Sequence, residues 1–344
     1  MKIALDAQLT IGTATGIGEY VGGLARALER SDIDVVRLCE PRIDPWRFDR
    51  RVYWDQVLLP QRALASGADL LHCAAGTMPL ALGMPAVVTV HDVAWLRVQG
   101  HARPYARYYF GAFSIDRYRH ARRIVVDSEF SRGELLDAAP RLDASRVTVV
   151  YPGVADDYMR LPRRAGDGRT ILAIGTIERR KNLEFLARVL VGLPNARVVS
   201  VGPSTEYTYE VIALARELGV AGRLELRGYV ERAEVLELYA SAAVVAVPSR
   251  YEGFGYAAAQ ALCAGTPVIV SDRSSLPEVV RDDAPVVPLD VAAWTEALAG
   301  ALRGDLDARA AEARARAIER FAWDANAGAM RAVYAAALRK GGSV

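Results

Sequence analysis

The stretch Ala243–Asp272, AVVAVPSRYEGFGYAAAQALCAGTPVIVSD, decides how the rest of the chain is read. Its first apolar run ends at Val247. A loop with two glycines, Gly253 and Gly255, follows, an alanine-rich helix runs to Gly265, and a second apolar run, PVIVSD, begins at Pro267. Short Val- and Ile-rich runs bounded by Gly, Pro or Asp read as strands buried on both faces, which is the habit of parallel sheets.

The same unit recurs in both directions. Upstream lie KIALD, DVVRL, DLLHC, AVVTVH, RIVVDS and VTVVYPG, then TILAIGT, ARVVSVG and RLELRG; downstream lies APVVPLD. Between them, segments such as GEYVGGLARALER and EVIALARELGV carry apolar residues at helical spacing. Alternating strands and helices predict parallel sheets covered on both sides. A dozen strands overfill one open sheet in 344 residues. The polar stretch Met159–Gly168, with Pro162 and two glycines, reads as a break. We therefore expect an α/β chain of two Rossmann-like, doubly wound domains facing a central cleft. Residues 1–160 form the first, residues 166–322 the second, and residues 323–344 a final helix. A (β/α)₈ barrel is the competing architecture, and the break fits it poorly.

Composition narrows the class. Lys and Arg number 43 against 41 acids, a net charge of +2, which argues against a global grip on nucleic acid. Three scattered cysteines without a CxxC spacing encode neither a zinc site nor a disulfide framework, and fit a reducing, cytoplasmic compartment. The opening MKIALDAQ lacks the apolar core of a signal peptide. Leu70–Val90 carries no Lys, Arg, Asp or Glu, but Gly76, Pro79, Gly83 and Pro85 divide it into two strands and a loop.

In open parallel sheets ligands bind beyond the carboxyl ends of the strands, so the loops after strands are where chemistry is sought. The loop Gly12–Gly18, GTATGIG, reads equally as a tight turn or as an anion-binding start to a helix. His91, at the end of AVVTVH, reads either as a histidine satisfied by backbone partners or as one that meets a sugar hydroxyl or a proton. Arg179-Arg180-Lys181, after Gly175 and Thr176, is a candidate diphosphate clamp or a solvated charge run. Glu252 precedes the amides of Gly253, Phe254, Gly255 and Tyr256 at a helix start. Those amides suit a phosphate and the carboxylate suits hydroxyls. Asp32-Ile-Asp34 mimics a metal-binding pair, yet it precedes a strand and reads as surface charge.

With TGIGEYVGGL, TVHDVAWL, VVDSEFSRGEL, VVYPGV, ILAIGTIERRKNLEFL, LRGYV and VPSRYEGFGYAAAQALCAGTPVIVSDRSSLPEVV in this order, the chain resembles the retaining glycosyltransferases of family four, which have the GT-B fold. GTIERRKN and SLPEV are most similar to mannosyltransferase-type members. The resemblance implies a nucleotide-diphosphate sugar as co-substrate, no resident cofactor and no metal, and a glycan or lipid-linked acceptor. It implies Arg180 and Lys181 on the donor diphosphate, Glu252 on hydroxyls of the transferred sugar, and His91 facing that sugar. Gly16 and Gly18 would lie near phosphate and acceptor, Gly175 and Thr176 in the donor loop, and Tyr229 and Val230 beside the base. Two departures stand out. Gln260 replaces the second Glu of a Glu-x7-Glu pair that accepts from ribose hydroxyls, and Thr176 stands where Arg is usual. Gln260 motivates the alternative of a catalytically impaired binding subunit. A nicotinamide dehydrogenase is disfavoured because no GxGxxG follows the first strand.

One segment speaks to partners. Trp95–Arg123 holds seven arginines (97, 103, 107, 117, 119, 122 and 123) against Asp116, with aromatic residues interleaved. It reads as a basic, aromatic surface helix suited to an anionic membrane or lipid diphosphate at the inner face, or as rings that pack the core.

Overall fold

The computed structural model describes residues 1–12, 16–98 and 103–339. All twelve runs are strands, in two six-stranded sheets. The first has the order β2-β1-β3-β4-β5-β6, built from β1 (Lys2–Asp6), β2 (Asp34–Leu38), β3 (Leu70–Cys73), β4 (Ala86–Val90), β5 (Arg123–Val126) and β6 (Val147–Val149). The second has the order β12-β11-β10-β7-β8-β9, built from β7 (Thr170–Ile174), β8 (Arg197–Val201), β9 (Leu224–Leu226), β10 (Val244–Val247), β11 (Val268–Ser271) and β12 (Val286–Val287). Every pairing is parallel. Inner strands β3, β4, β10 and β11 are buried at every residue, while edge strands β2, β9 and β12 are partly exposed. That is why the inner runs read as continuous apolar blocks with no alternation. The strand order reverses between β1 and β3 in one sheet and between β7 and β10 in the other, the switch points where open sheets bind ligands.

The chain divides into two compact units, Met1–Gly153 with Ala322–Val344, and Val154–Phe321. The break thus falls at Gly153–Val154, ahead of the polar stretch that the sequence suggests as a linker. The helix Asp156–Met159 already belongs to the second unit. Its Tyr158 ring lies 5.2 Å from that of Tyr239, and Asp157 pairs with Arg232 at 2.6 Å. Residues 159–168 run along the second unit instead of bridging. Arg163 donates to the carbonyls of Ala240 and Ala242, and Arg314 donates to those of Met159 and Leu161.

In the first unit, α1 (Gly16–Glu29) buries Tyr20, Val21, Leu24 and Leu28 at helical spacing. The last helix of the chain, Trp323–Leu338, packs in this unit and buries Trp323, Ala327, Met330 and Tyr334. Trp323 fills a slot made by two glycines. A Cβ on Gly23 would lie 2.1 Å from the indole ring, and one on Gly153 would lie 2.3 Å from it. Deeper along the helix, the Tyr334 hydroxyl meets Nδ1 of the buried His72 at 2.8 Å. Asp32, half of the apparent metal pair, instead bridges to Arg331 at 2.9 Å on the surface.

Candidate functional site

At the carboxyl edge of the second sheet, the loops after β7, β8 and β9 are laced together by backbone. The Gly175 amide donates to Val201 and the Gly202 amide to Gly228. Gly202 has φ +145°, and a Cβ there would sit 2.2 Å from the Gly175 carbonyl oxygen, so only glycine allows this approach. Arg179–Lys181 then form one 3₁₀ turn, which ends on Asn182 in the left-handed region at φ +61°. Asn182 is buried there, and its Nδ2 donates to the Pro248 carbonyl at 3.0 Å. The Arg250 amide donates to the Arg180 carbonyl at 2.7 Å. These two bonds set the cationic turn against the loop after β10.

The result is a charged cluster on Glu252. Lys181 Nζ donates to Oε1 at 2.6 Å, Arg180 Nη1 to Oε2 at 3.1 Å, and Ser249 Oγ to Oε1 at 2.7 Å. Arg180 Nε also holds Glu178 at 2.8 Å. Glu252 is only 5% exposed. Burial alone would raise its pKa, but Lys181 and Arg180 outweigh burial and hold it at about 2. The neighbouring loop fixes the backbone here. Ser274 Oγ accepts from the Glu252 amide at 2.9 Å, and Ser275 Oγ donates to the carbonyls of Glu252 and Phe254.

A helix follows at once: α2 (Tyr256–Ala264), capped by Gly255 at φ +99°. Its positive end therefore starts four residues after a buried carboxylate that two cations share, an arrangement suited to an anion next to a hydroxyl acceptor. Beside it, a pocket at the switch point between β7 and β10 is lined by Gly175, Thr176, Lys181, Ser200, Pro248 and Ser249. Tyr229, half exposed, and Val230 stand in the loop after β9 on the same edge.

Two sequence expectations change in this unit. The three-cation clamp is a two-cation one, because Arg179 turns away to pair with Glu210 and lies over the Tyr207 ring at 4.8 Å. Gln260, 4% exposed on α2, accepts from the Tyr239 hydroxyl at 3.0 Å, so its amide oxygen is already engaged by the protein.

In the first unit, His91 follows β4. Its Nδ1 meets Asp127 Oδ2 at 2.7 Å and its Nε2 meets the Ala74 carbonyl at 3.0 Å. The Ala74 carbonyl can only accept, so Nε2 carries a proton, while Nδ1 and Asp127 share a proton whose site sets whether the ring is charged. Burial opposes that charge, but Asp127 and the Ala74 carbonyl outweigh it and raise the pKa of His91. Both ring nitrogens of His91 are thus engaged by the protein, with Asp127 favouring the charged ring. Tyr20 of α1 places its ring edge-on at 4.8 Å. Gly16 and Gly18 form the first turn of α1, while residues 13–15 of the Gly12–Gly18 loop lie outside the described residues.

Sequence reasoning missed Asp127, Ser249, Ser274 and Ser275. Asp127 had a signal, since it ends the run RIVVD just as Asp92 follows His91, but its partner lies on another strand. Among the described residues no group of three His, Cys, Asp or Glu side chains is arranged to hold a metal.

Comparison with known proteins agrees with this architecture. Residues 156–320 match the family described as glycosyl transferases group 1, and residues 14–158 match glycosyltransferase family 4. Among curated relatives is the D-inositol 3-phosphate glycosyltransferase of Mycolicibacterium paratuberculosis, 34% identical over 64% of this chain and 54% of its own length. The protein of the same name from Xylanimonas cellulosilytica is 37% identical over 58% of this chain and 51% of its own. The chain thus spans about half the length of the curated relatives it matches. Among solved structures, sucrose-phosphate synthase from Thermosynechococcus elongatus superposes with a TM-score of 0.75 at 21% identity, covering 97% of this chain and 98% of that one. Anabaena HepE, solved with UDP and glucose, gives 0.71 at 17% identity, covering 97% and 99%. The fold is that of these GT-B structures.

Proposed function

We propose that this chain, two glycosyltransferase domains in succession, moves a hexosyl group from a nucleotide-diphosphate sugar to a glycan or lipid-linked acceptor, with retention of configuration and without a metal. The observation that carries this reading is the convergence of Arg180 and Lys181 on buried Glu252 just before the start of α2. When the bond from the sugar to the diphosphate breaks, negative charge grows on the leaving phosphate. Two fixed cations and a helix start are groups that stabilise such charge, and stabilisation of this kind usually contributes more to catalysis than any other effect. Glu252, ionised by the same cations, accepts from hydroxyls of the transferred sugar. His91, whose pKa Asp127 raises, contributes charge rather than proton transfer.

The donor proposed first is GDP-mannose, on the likeness of GTIERRKN and SLPEV to mannosyltransferase-type members. UDP-sugars rank beside it because HepE was solved with UDP, and rhamnosyl donors follow. The name of the curated relatives makes D-inositol 3-phosphate an acceptor to include. Thermal shifts against GDP, UDP, dTDP and their sugar conjugates in EDTA test the donor site, since a ligand that binds only the folded state raises Tm. A shift with one nucleotide names the base. No shift with any of them overturns the donor reading.

Gln260 supports a second reading, a binding subunit with lapsed turnover. Its oxygen is committed to Tyr239 and leaves less acceptor capacity for ribose than a carboxylate would. Turnover that appears only in Gln260→Glu would favour this reading over the first.

A further inference from the structure

The first unit carries a line of polar side chains through its core. Tyr334 of the last helix, His72 of β3, Thr89 of β4 and Tyr20 of α1 are all fully buried. The Tyr334 hydroxyl meets His72 Nδ1 at 2.8 Å, and His72 Nε2 meets Thr89 Oγ1 at 2.8 Å. Thr89 Oγ1 in turn meets the Tyr20 hydroxyl at 3.2 Å. Burial and the charge of His91 push the His72 pKa down to about 3, so one of its nitrogens donates and the other accepts. The chain therefore runs in one direction, from Tyr334 to Tyr20 or the reverse. Cutting it at any link strands a buried polar group.

This chain ends against His91. Thr89 and His91 stand two residues apart where β4 finishes, and Tyr20 reaches both. Its hydroxyl is on Thr89, and its ring stands at 81° to the imidazole with centroids 4.8 Å apart. Trp323, from the same helix as Tyr334, sets its own ring 6.0 Å from that of Tyr20. Trp323 is itself seated in the slot of Gly23 and Gly153. The last helix thus reaches Tyr20 twice, once through the polar chain and once through the indole.

The groups that set the charge of His91 lie elsewhere: Asp127 after β5, the Ala74 carbonyl after β3, and Asp92 next in the chain. Bonds to Nδ1 and Nε2 hold the imidazole along one line and leave it to rock about that line. A perpendicular ring packed against it limits this motion. A tyrosine fixed at its hydroxyl and at its ring makes a stiff wall, and stiff neighbours keep a functional side chain within the narrow geometry it needs. We propose that Tyr20 is a positioning residue for His91, and that the last helix sets it through Tyr334, His72 and Thr89. This deepens the role proposed for His91 and rests on it. A readout on the imidazole itself, without turnover, lets the two fail separately.

Nuclear magnetic resonance of the full chain labelled with nitrogen-15 at histidine tests it. The sequence has four histidines, His72, His91, His101 and His120, and His91→Gln identifies the His91 signals. In the wild type the His91 titration midpoint should lie above the ordinary value of about 6.5. Tyr20→Leu removes the wall, loosens the pair with Asp127 and lets water in, and should lower that midpoint by about 1 pH unit. Tyr20→Phe, Thr89→Val and Tyr334→Phe keep the shape of the core and cut the chain, so each should lower it about half as far. Tyr20→Phe combined with Thr89→Val should add little to either alone, because both break the same bond. Should Tyr20→Leu fail to fold, the three chain variants decide the matter. A lower Tm with an unmoved His91 titration in those variants would make the chain a feature of the core alone and overturn the proposal. A shift in Tyr20→Leu with none in the chain variants would overturn the part given to the last helix.

Discussion

The two units share a sheet architecture and place a buried ion pair after a central strand, yet the pairs are wired differently. In the second unit one carboxylate, Glu252, is shared by Arg180 and Lys181, and Lys181 also lines the switch-point pocket. In the first unit one histidine, His91, spends both nitrogens on Asp127 and Ala74. The same fold therefore yields a cluster in which two cations share one buried carboxylate beside an open pocket, and a closed pair with no hydrogen-bonding capacity left on its ring. An added anion has a natural place at the first and none on the ring nitrogens of the second. Position at a strand end therefore marks a candidate, while the partners on neighbouring loops decide what the candidate can do.

Lys181→Ala should break this contrast most strongly. It leaves buried Glu252 with Arg180 as its cation, at a cost of about 3 kcal/mol, readable by urea denaturation. Next, acid titration should separate the pairs. Glu252, depressed to about 2 from 4.5, adds stability that is complete above its unfolded pKa and is lost as pH falls toward 2. That contribution is about 3 kcal/mol. Glu252→Gln should be less stable at neutral pH and lose less between about pH 4.5 and 2. His91 has the opposite sign. Its raised pKa adds stability below about 6.5 that is lost as pH rises through the folded value. Asp127→Asn should lower the His91 pKa, seen by NMR titration, and leave nucleotide binding in the second unit unchanged. The smallest effect is expected from Gln260→Glu, about 1 kcal/mol of lost stability, because the Tyr239 hydroxyl can donate to either side chain. A loss as large as that of Lys181→Ala would mean position 260 carries charge-sensitive structure that the contrast omits.

Much of this was legible from residue order. The strands were legible because inner parallel strands need unbroken apolar runs, and Glu252 because a carboxylate ahead of Gly-Phe-Gly has no core role. The domain break was not, since polar residues 159–168 look alike whether they span a gap or run along a unit. The Arg-Arg-Lys run by itself did not separate Arg179 from Arg180 and Lys181, which only the family resemblance singled out, because one residue of rotation in a 3₁₀ turn decides which way each points. The state of His91 depends on Ala74 and Asp127, whose proximity is set by the β3-β4-β5 order and by no local pattern. Ser274 and Ser275 act across the β10–β11 neighbourhood in the same way.

In the function proposed above, Arg180, Lys181 and Glu252 form the donor-diphosphate site. Calorimetric titration of GDP and UDP, in EDTA, into the wild-type protein and into Lys181→Ala tests it most directly. One nucleotide should bind the wild type saturably, with an affinity lower by about 10- to 100-fold in the variant, the loss of one charge-assisted contact. Equal affinity in a folded Lys181→Ala protein, or no binding by the wild type, would contradict it.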